Sequence, residues 1–422
     1  MPGMFAGWLR ENTHALSTID PDAALDDLEP LRDLIGDARV VAIGENSHFI
    51  AEFAALRHRV LRFLVERCGF SLFGFEYGFS EAFAVDDWVR GDVDDLPSHV
   101  TSAVPLGVDA PLRWLRDNAP AVRFAGVDVP EAGGSLLPAL RPVAGYLSGI
   151  DPDALPLVNT AIAIAERFAG SSAAAGAPAW ARLPQSDKDA LTAALARLLN
   201  RFRAAAPLYI ERGDEYGYAV NLRRVEGAFV GDYQIRAMAA LFNGDGAVAD
   251  TTAREVYMAE SVRWHLEHAP PGAKMVLAAH NAHIQKTPVA FDGQLTGFPM
   301  GHHLAGQFGD DYFALALTSM AGHTAEMELD ESARFGFVID ELPLQTPEDG
   351  SIEAALADAP RLVLAGLRSA PGHGPDRIRM HAGYLHSPVS EAFDAVISVP
   401  ESTVAADMDY KKSALYSDSP GT

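Results

Sequence analysis

Seven short apolar runs punctuate the 422-residue chain, and none of them alternates polar with apolar residues. They are "ARVVAIGE" (38–45), "SLFGFE" (71–76), "VRFAGVD" (122–128), "KMVLAAH" (274–280), "DYFALALT" (311–318), "RLVLAGL" (361–367) and "FDAVISV" (393–399). A strand with one wet face alternates, so unbroken runs of this length imply strands covered on both faces. Helical patterns follow the first three: "AEFAALRHRVLRFLVERC", "EAFAVDDWVRG" and "LLPALRPVAGYLSG". That βαβα order predicts an α/β fold, with a largely parallel central sheet flanked by helices.

Between residues 130 and 273 the strand signal stops. "LPLVNTAIAIAERFA", "DKDALTAALARLLNRFRAAA", "EYGYAVNLRRVEGAFVGDYQIRAMAALF" and "AREVYMAESVRWHLEHA" carry apolar residues at three- and four-residue spacing, the pattern of amphipathic helices. The expected organisation is an α/β core whose first part spans 1–130, an inserted helical subdomain at 131–272 that shapes a substrate cleft, and the rest of the core at 273–422. The Gly- and Ala-rich "AGSSAAAGAPAW" (169–180) reads as a flexible link within the insertion.

Charge and composition narrow the function. Lys and Arg number 33 against 57 Asp and Glu, a formal net charge of −24. That argues against a nucleic-acid partner, which needs clustered cations. Cys68 is the only cysteine, so neither an intrachain disulfide nor a cysteine metal cluster can form, and its place late in a helical pattern suits a small buried hydrophobe. The start of the sequence lacks an apolar leader and no run approaches the ~18 apolar residues of a membrane helix, so a soluble cytoplasmic protein is expected. No G-x-S-x-G elbow, G-x-G-x-x-G turn or G-x-x-x-x-G-K-[ST] loop occurs. An enzyme built this way is expected to activate water or a substrate hydroxyl.

The candidate chemistry lies where the strands stop. Glu45 with His48, Glu76, Asp128, and His280 with His283 each fall at the C-terminal end of a predicted strand or within three residues of it. In open parallel sheets ligands bind in the crevice outside those ends. Asn46 or Ser47 alone reads as a cap for the helix starting near Ala51, which would leave Glu45 solvated. The repetition of acids and imidazoles favours a functional cluster instead. "HNAH" has a H-x-x-H spacing that would suit a metal with Glu45 or Glu76 as a further ligand, but without a helix beneath it we assign no metal and no cofactor. Arg57 sits on the apolar stripe of the first helix with Phe53, Leu61 and Leu64, so it is expected to meet Glu45 or Glu76. Neighbouring His58 and Arg59 are expected to face solvent. His302 and His303 read as loop residues before a helix, with His303 a substrate-binding candidate beside Asp128. His265 and His268 suit a helix C-terminus, while His373, His381 and His386 lie in a Pro/Gly-rich stretch without assignment.

Together these residues resemble the erythromycin esterase family. "GENSHFIAEFAALRHRVLRFLVERCGFSLFGFE" is similar to its opening motif, a Gly-Glu-x-x-His strand end, a helix with an arginine, and a second strand ending in glutamate. The resemblance continues through "GVDVP", "REVYMAESVRWHLEHAPPGAKMVLAAHNAHI", "MGHHLAGQFGDDYFALAL", "DGSIEAALADA" and "FDAVISVPESTVA", nearly the whole chain. Ser261 stands where members of the family tend to carry Asn.

The resemblance implies a metal-independent hydrolase for an apolar ester or lactone, possibly macrocyclic, with His48 as the general base on water. Glu45, Glu76 and Arg57 would be its supporting groups, and His280 or His283 a second catalytic imidazole, with His280 preferred. Arg57 or a protonated His280 would stabilise the oxyanion. The same acid/base cluster, closed to water, would suit elimination, cyclisation or lactone transfer on a biosynthetic intermediate. A purely structural ion network in a binding protein is the non-catalytic alternative.

Overall fold

Each of the seven apolar runs contains a strand in the computed structural model, which describes residues 2–95, 108–244, 248–291, 294–359, 361–372 and 374–405. The main sheet comprises β1 (Thr13–Ala15), β2 (Val40–Ile43), β3 (Leu72–Gly78), β4 (Arg123–Asp128), β5 (Met275–Ala278), β6 (Tyr312–Leu329), β7 (Phe337–Pro343), β8 (Val363–Gly366) and β9 (Ala395–Ser402). Their order in space is β1-β8-β9-β6-β2-β5-β3-β4, with β7 paired to the far end of β6. β9, β6, β2, β5, β3 and β4 run parallel, whereas β8 pairs antiparallel with both β9 and β1, and β7 antiparallel with β6. The sheet is therefore mixed but mostly parallel, as the pattern predicts.

The unbroken runs have a direct cause. Val41 and Ile43 of β2 face one apolar cluster with Phe73, Phe75, Phe124 and Val276, while Val40 and Ala42 face another with Leu72, Ala125, Met275 and Leu277. Successive strand residues point to opposite faces, and here both faces are dry. One face is covered by α1 (Ala51–Cys68) and α2 (Ala82–Val89), the other by the helices Pro2–Glu11, Thr252–Glu267 and Met300–Phe308 together with short segments around Ile352 and Val389.

Between β4 and β5 the described residues form only helices and turns. They include α3 (Leu137–Ile150), α4 (Leu155–Ala165), α5 (Ala173–Ala181), α6 (Gln185–Ala204), α7 (Glu215–Phe242) and α8, the Thr252–Glu267 helix. The first five bury a cluster of their own, built from residues such as Leu140, Val158, Trp180, Leu198 and Ile235. Beyond β5 come the short α9 (Asn281–Ile284) and then α10 (Met300–Phe308).

Several expectations are corrected. Residues 169–180 are no flexible link: Ala173 onwards is helical, Ser172 caps α5 by accepting from the Ala175 N–H at 3.2 Å, and Ala177 and Trp180 are buried. The small residues there serve close approach, since a Cβ on Gly176 would stand 2.5 Å from the Gly134 carbonyl oxygen. His58 and Arg59 are buried, because residues 16–35 and the helix Asp109–Asn118 cover both flanks of α1. Arg59 donates to Asp27 and to the Ala24 carbonyl, and His58 meets Trp114 edge-on. Neither Asn46 nor Ser47 caps α1, whose N-cap is Ile50; they bond Thr318 and the Ala325 carbonyl instead. His302 and His303 lie inside α10, not before it. His265 reaches across to the Gly126 carbonyl of β4 at 2.9 Å, while His268 bonds the Trp264 carbonyl of its own helix. His373 lies outside the described residues. No helix among the described residues is long and apolar enough to cross a membrane.

Candidate active site

In space β2, β5, β3 and β4 are consecutive neighbours, so their C-terminal ends deliver Glu45, His280, Glu76 and Asp128 to one edge. This is the crevice expected of a parallel sheet. It opens into a cleft of about 1230 Å³ lined by, among others, His48, Glu76, Asp128, His280, His283 and His381. Gly44 lets the end of β2 approach α9: a Cβ there would stand 1.8 Å from the Asn281 side-chain oxygen. Asn281 in turn donates its N–H to the Glu45 carbonyl at 2.8 Å, joining the β2 and β5 ends.

Two ion networks share this edge. In the first, Glu45 Oε1 accepts from His48 Nδ1 at 2.7 Å and meets an Arg57 guanidinium nitrogen at 3.0 Å, with Glu45 and Arg57 both buried. The Arg57 guanidinium also lies over the Phe75 ring, 5.6 Å from its centroid. The bond to Glu45 fixes the proton on His48 Nδ1 and leaves Nε2 as the basic nitrogen. Burial lowers the His48 pKa, but the hydrogen bond and charge of Glu45, with Glu76 adding, raise it to a net value above the usual 6.5.

In the second, Glu76 stands among three donors. Its Oε2 accepts the backbone N–H of His280 at 3.0 Å, and its Oε1 meets His283 Nε2 at 3.2 Å and an Arg254 nitrogen at 3.0 Å. His283 Nδ1 meets Glu255 at 2.8 Å, and Arg254 forms a two-point pair with Asp128 at 2.9 and 2.5 Å. Burial opposes charge at His283, but Glu255 and Glu76 outweigh it and hold the imidazolium up to about 10. Glu76 is held well below the carboxylate range, against its burial, by His283 and Arg254.

His280 is the opposite case. Its Nδ1 accepts the Ala282 N–H at 3.1 Å as the N-cap of α9, so the ring proton sits on Nε2. Burial, and then the repulsion a second charge would meet from the neighbouring imidazoles of His48, His381 and His283, hold its pKa well below the usual range and favour the neutral ring. Its Nε2 is buried and finds no partner among the described residues, and its ring lies 5.3 Å from that of His48.

Of the residues singled out in the sequence, Glu45, His48 and Arg57 thus come together, as do Glu76, Asp128, His280 and His283. Arg57 meets Glu45 and not Glu76; Arg254 meets Glu76. The surroundings of His280 favour its neutral form, against the protonated His280 expected from the sequence, while those of His283 favour the charged form. His303 lies outside the cleft lining, with Nε2 buried in α10. Both nitrogens of His283 are engaged by carboxylates, and no group of three or more His, Cys, Asp and Glu among the described residues is placed to hold a metal.

Three participants escaped the sequence reading: Arg254, Glu255 and His381. Three strand-end carboxylates facing a single arginine was a signal that another buried cation was needed. Adjacent Arg254 and Glu255 open an amphipathic helix, where charge reads as exposed. His381, in a segment without periodicity, gave no signal.

Residues 65–402 match the family profile described as erythromycin esterase. The chain belongs to the erythromycin esterase family. It is 36% identical to an erythromycin esterase type II of Escherichia coli over 95% of this chain and 98% of that protein. An erythromycin esterase type I of Escherichia coli is 30% identical over 88% and 93%. A solved erythromycin esterase, a histidine-to-asparagine mutant in an open conformation, superposes with TM-score 0.87 at 27% identity, over 94% of this chain and 99% of that one. A Bacillus cereus protein shares the fold at TM-score 0.75 and 18% identity, over 95% and 97%. Membership makes the protein a carboxylic ester hydrolase.

Proposed function

We propose that this esterase hydrolyses the ester of a macrolide lactone, with His48 as the general base on water. The observation that carries the reading is the Glu45–His48–His280 arrangement: a base with its proton fixed on one nitrogen, its ring 5.3 Å from that of a neutral imidazole whose N–H has no partner among the described residues. Substrate class is supported by the esterase relatives and by a cleft whose walls include Phe49, Phe83, Met238, Phe335 and Phe337.

His48 Nε2 takes a proton from water as the oxygen attacks the ester carbonyl carbon, a contribution of typically ~10²–10⁴ in rate. Glu45 stabilises the imidazolium that forms. The carbonyl oxygen becomes an oxyanion that accepts from His280 Nε2–H, and losing one such donor costs ~10²–10³ in kcat. As the C–O bond breaks, His48 returns its proton to the leaving alkoxide, which departs as the ring-opened alcohol. Glu76, His283, Glu255, Arg254 and Asp128 act as positioning residues: the His280 backbone is anchored on Glu76, and Glu76 is held by His283 and Arg254. The helical segment 131–272 supplies one wall of the substrate cleft, through Leu137, Pro138 and the stretch 169–174 among others.

The test is turnover of a macrolide and an ester panel by wild type, His48→Ala and His280→Ala, with product masses. We expect a product one water heavier than substrate, loss of at least ~10²-fold in kcat for His48→Ala, and ~10²-fold for His280→Ala. Full activity in His48→Ala would sink the mechanism; an isomeric or dehydrated product would replace hydrolysis by non-hydrolytic acid/base chemistry.

A further inference from the structure

Four non-glycine residues among those described have a positive φ: Phe49 (64°), Glu131 (37°), Ala132 (41°) and His381 (52°). All four line the cleft. Such backbone costs of order 1–3 kcal/mol per residue and persists where the surroundings over-determine it, commonly at functional sites. Of the four, only His381 carries an imidazole, whose two nitrogens can donate and accept a hydrogen bond at once.

His381 occupies the turn of a hairpin formed by the strands Arg377–Met380 and Gly383–His386. Three bonds hold it in the left-handed conformation. Its backbone N–H donates to the Asn46 carbonyl at 2.8 Å, in the loop that carries Glu45 and His48, and the next N–H, of Ala382, donates to Glu326 at 2.8 Å. Its ring Nδ1 faces the Ala325 carbonyl at 3.3 Å, and its ring stacks on His280 at 5.3 Å and 20°. A carbonyl only accepts, so the proton sits on Nδ1 and Nε2 presents a lone pair. Burial, and then the charge of His48, keep the ring neutral.

Water about to be deprotonated carries two O–H bonds. His48 takes one proton; the other needs an acceptor if the water's lone pair is to be aimed at the carbonyl carbon. We propose that His381 is a further catalytic residue, whose Nε2 accepts the second O–H of the nucleophilic water while His48 removes the first. The proposal rests on the general-base reading of His48. No proton is transferred to His381: it holds one O–H throughout the attack and releases the oxygen as part of the product carboxyl group.

The test uses His381→Gly, because glycine accepts a φ of 52° and leaves space for a small ring. We expect a folded enzyme with Tm near wild type, kcat reduced roughly 10- to 100-fold, the scale of losing orientation of one reactant, and little change in KM. Added imidazole should restore a substantial part of kcat in a saturable manner, while pyrrole, which keeps the N–H and the ring shape but lacks the acceptor nitrogen, should not. His381→Asn, which also tolerates the left-handed backbone, checks that loss of activity is not loss of fold. Wild-type kcat in either folded variant overturns the proposal. So does restoration by both additives alike, which would assign His381 a packing role against His280. His48→Ala separates the two readings: if it is inactive while His381→Gly is not, the base stands and the water-holding role falls.

Discussion

Two histidines about one ring's breadth apart, His48 and His280, are driven to opposite protonation behaviour: both are buried, but Glu45 raises His48, whereas burial and then the neighbouring imidazoles lower His280. His48 is bonded to a carboxylate, and His280 to a backbone N–H. The sign of the pH dependence follows. Deprotonation of water needs His48 neutral, and its pKa in the folded enzyme lies above 6.5, so kcat/KM should rise with pH along a limb centred above 6.5. Glu45→Gln removes the largest raising influence and leaves burial and the Arg57 charge, which lower the value, opposed by Glu76, which acts more weakly than burial. The limb of the variant should therefore move to lower pH, with a lower plateau because the base is weaker and its imidazolium less stabilised. The kcat/KM profile from pH 5 to 9 checks it. An unmoved limb would mean that another group sets the profile. At this scale much was legible, since strand ends carry acids and imidazoles in plain view. What was hidden was partner choice: Arg57 and Arg254 divide Glu45 and Glu76 between them by which helix passes which strand end.

Elements were legible in proportion to their regularity. The seven runs and the long helices carry a period that burial on both faces or on one stripe imposes, so each was readable from its apolar spacing. Short pieces with neither period were not: β7 and the hairpin bearing His381 are fixed by pairing to β6 and by turn contacts, which no local pattern announces. Residues 169–180 show the reverse error, where small residues look like slack and are in fact contact. Gly134 and Gly176 press backbone on backbone, a Cβ on Gly134 standing 1.9 Å from the Ser172 carbonyl oxygen. We predict that Gly176→Ala destabilises the protein by about 1–3 kcal/mol, the usual cost of overpacking, measured by denaturant midpoint. KM should rise with it, because the stretch 169–174 lines the cleft. A wild-type midpoint would show that the α5 contact yields without cost.

At the scale of the molecule, the cleft lies between the sheet's carboxyl edge and the helices inserted between β4 and β5, and its rim is unusually apolar. Met327 and Leu329, on the end of β6 that extends past the core to pair with β7, are 42% and 59% exposed, and Phe242 at the end of α7 is 38% exposed. All three line the cleft. Exposed apolar groups gathered at a cleft mouth mark a surface that an apolar partner covers. A broad, largely apolar ring seated on the strand-end histidines would bury this rim, whereas a small ester would not reach it. Burying a leucine fully is worth about 1.5–3 kcal/mol and each 1.4 kcal/mol is tenfold in affinity, so Leu329→Ser should raise KM for a macrolide roughly 3- to 10-fold. Such contacts are made equally in the ground and transition states, so kcat should hold nearly constant. For a short-chain aryl ester, both constants should match wild type. Equal losses on both substrates would place the effect in the fold and not at the rim; equal retention on both would mean that the macrocycle seats deeper, against Phe49 and Phe83, and leaves the outer strand free.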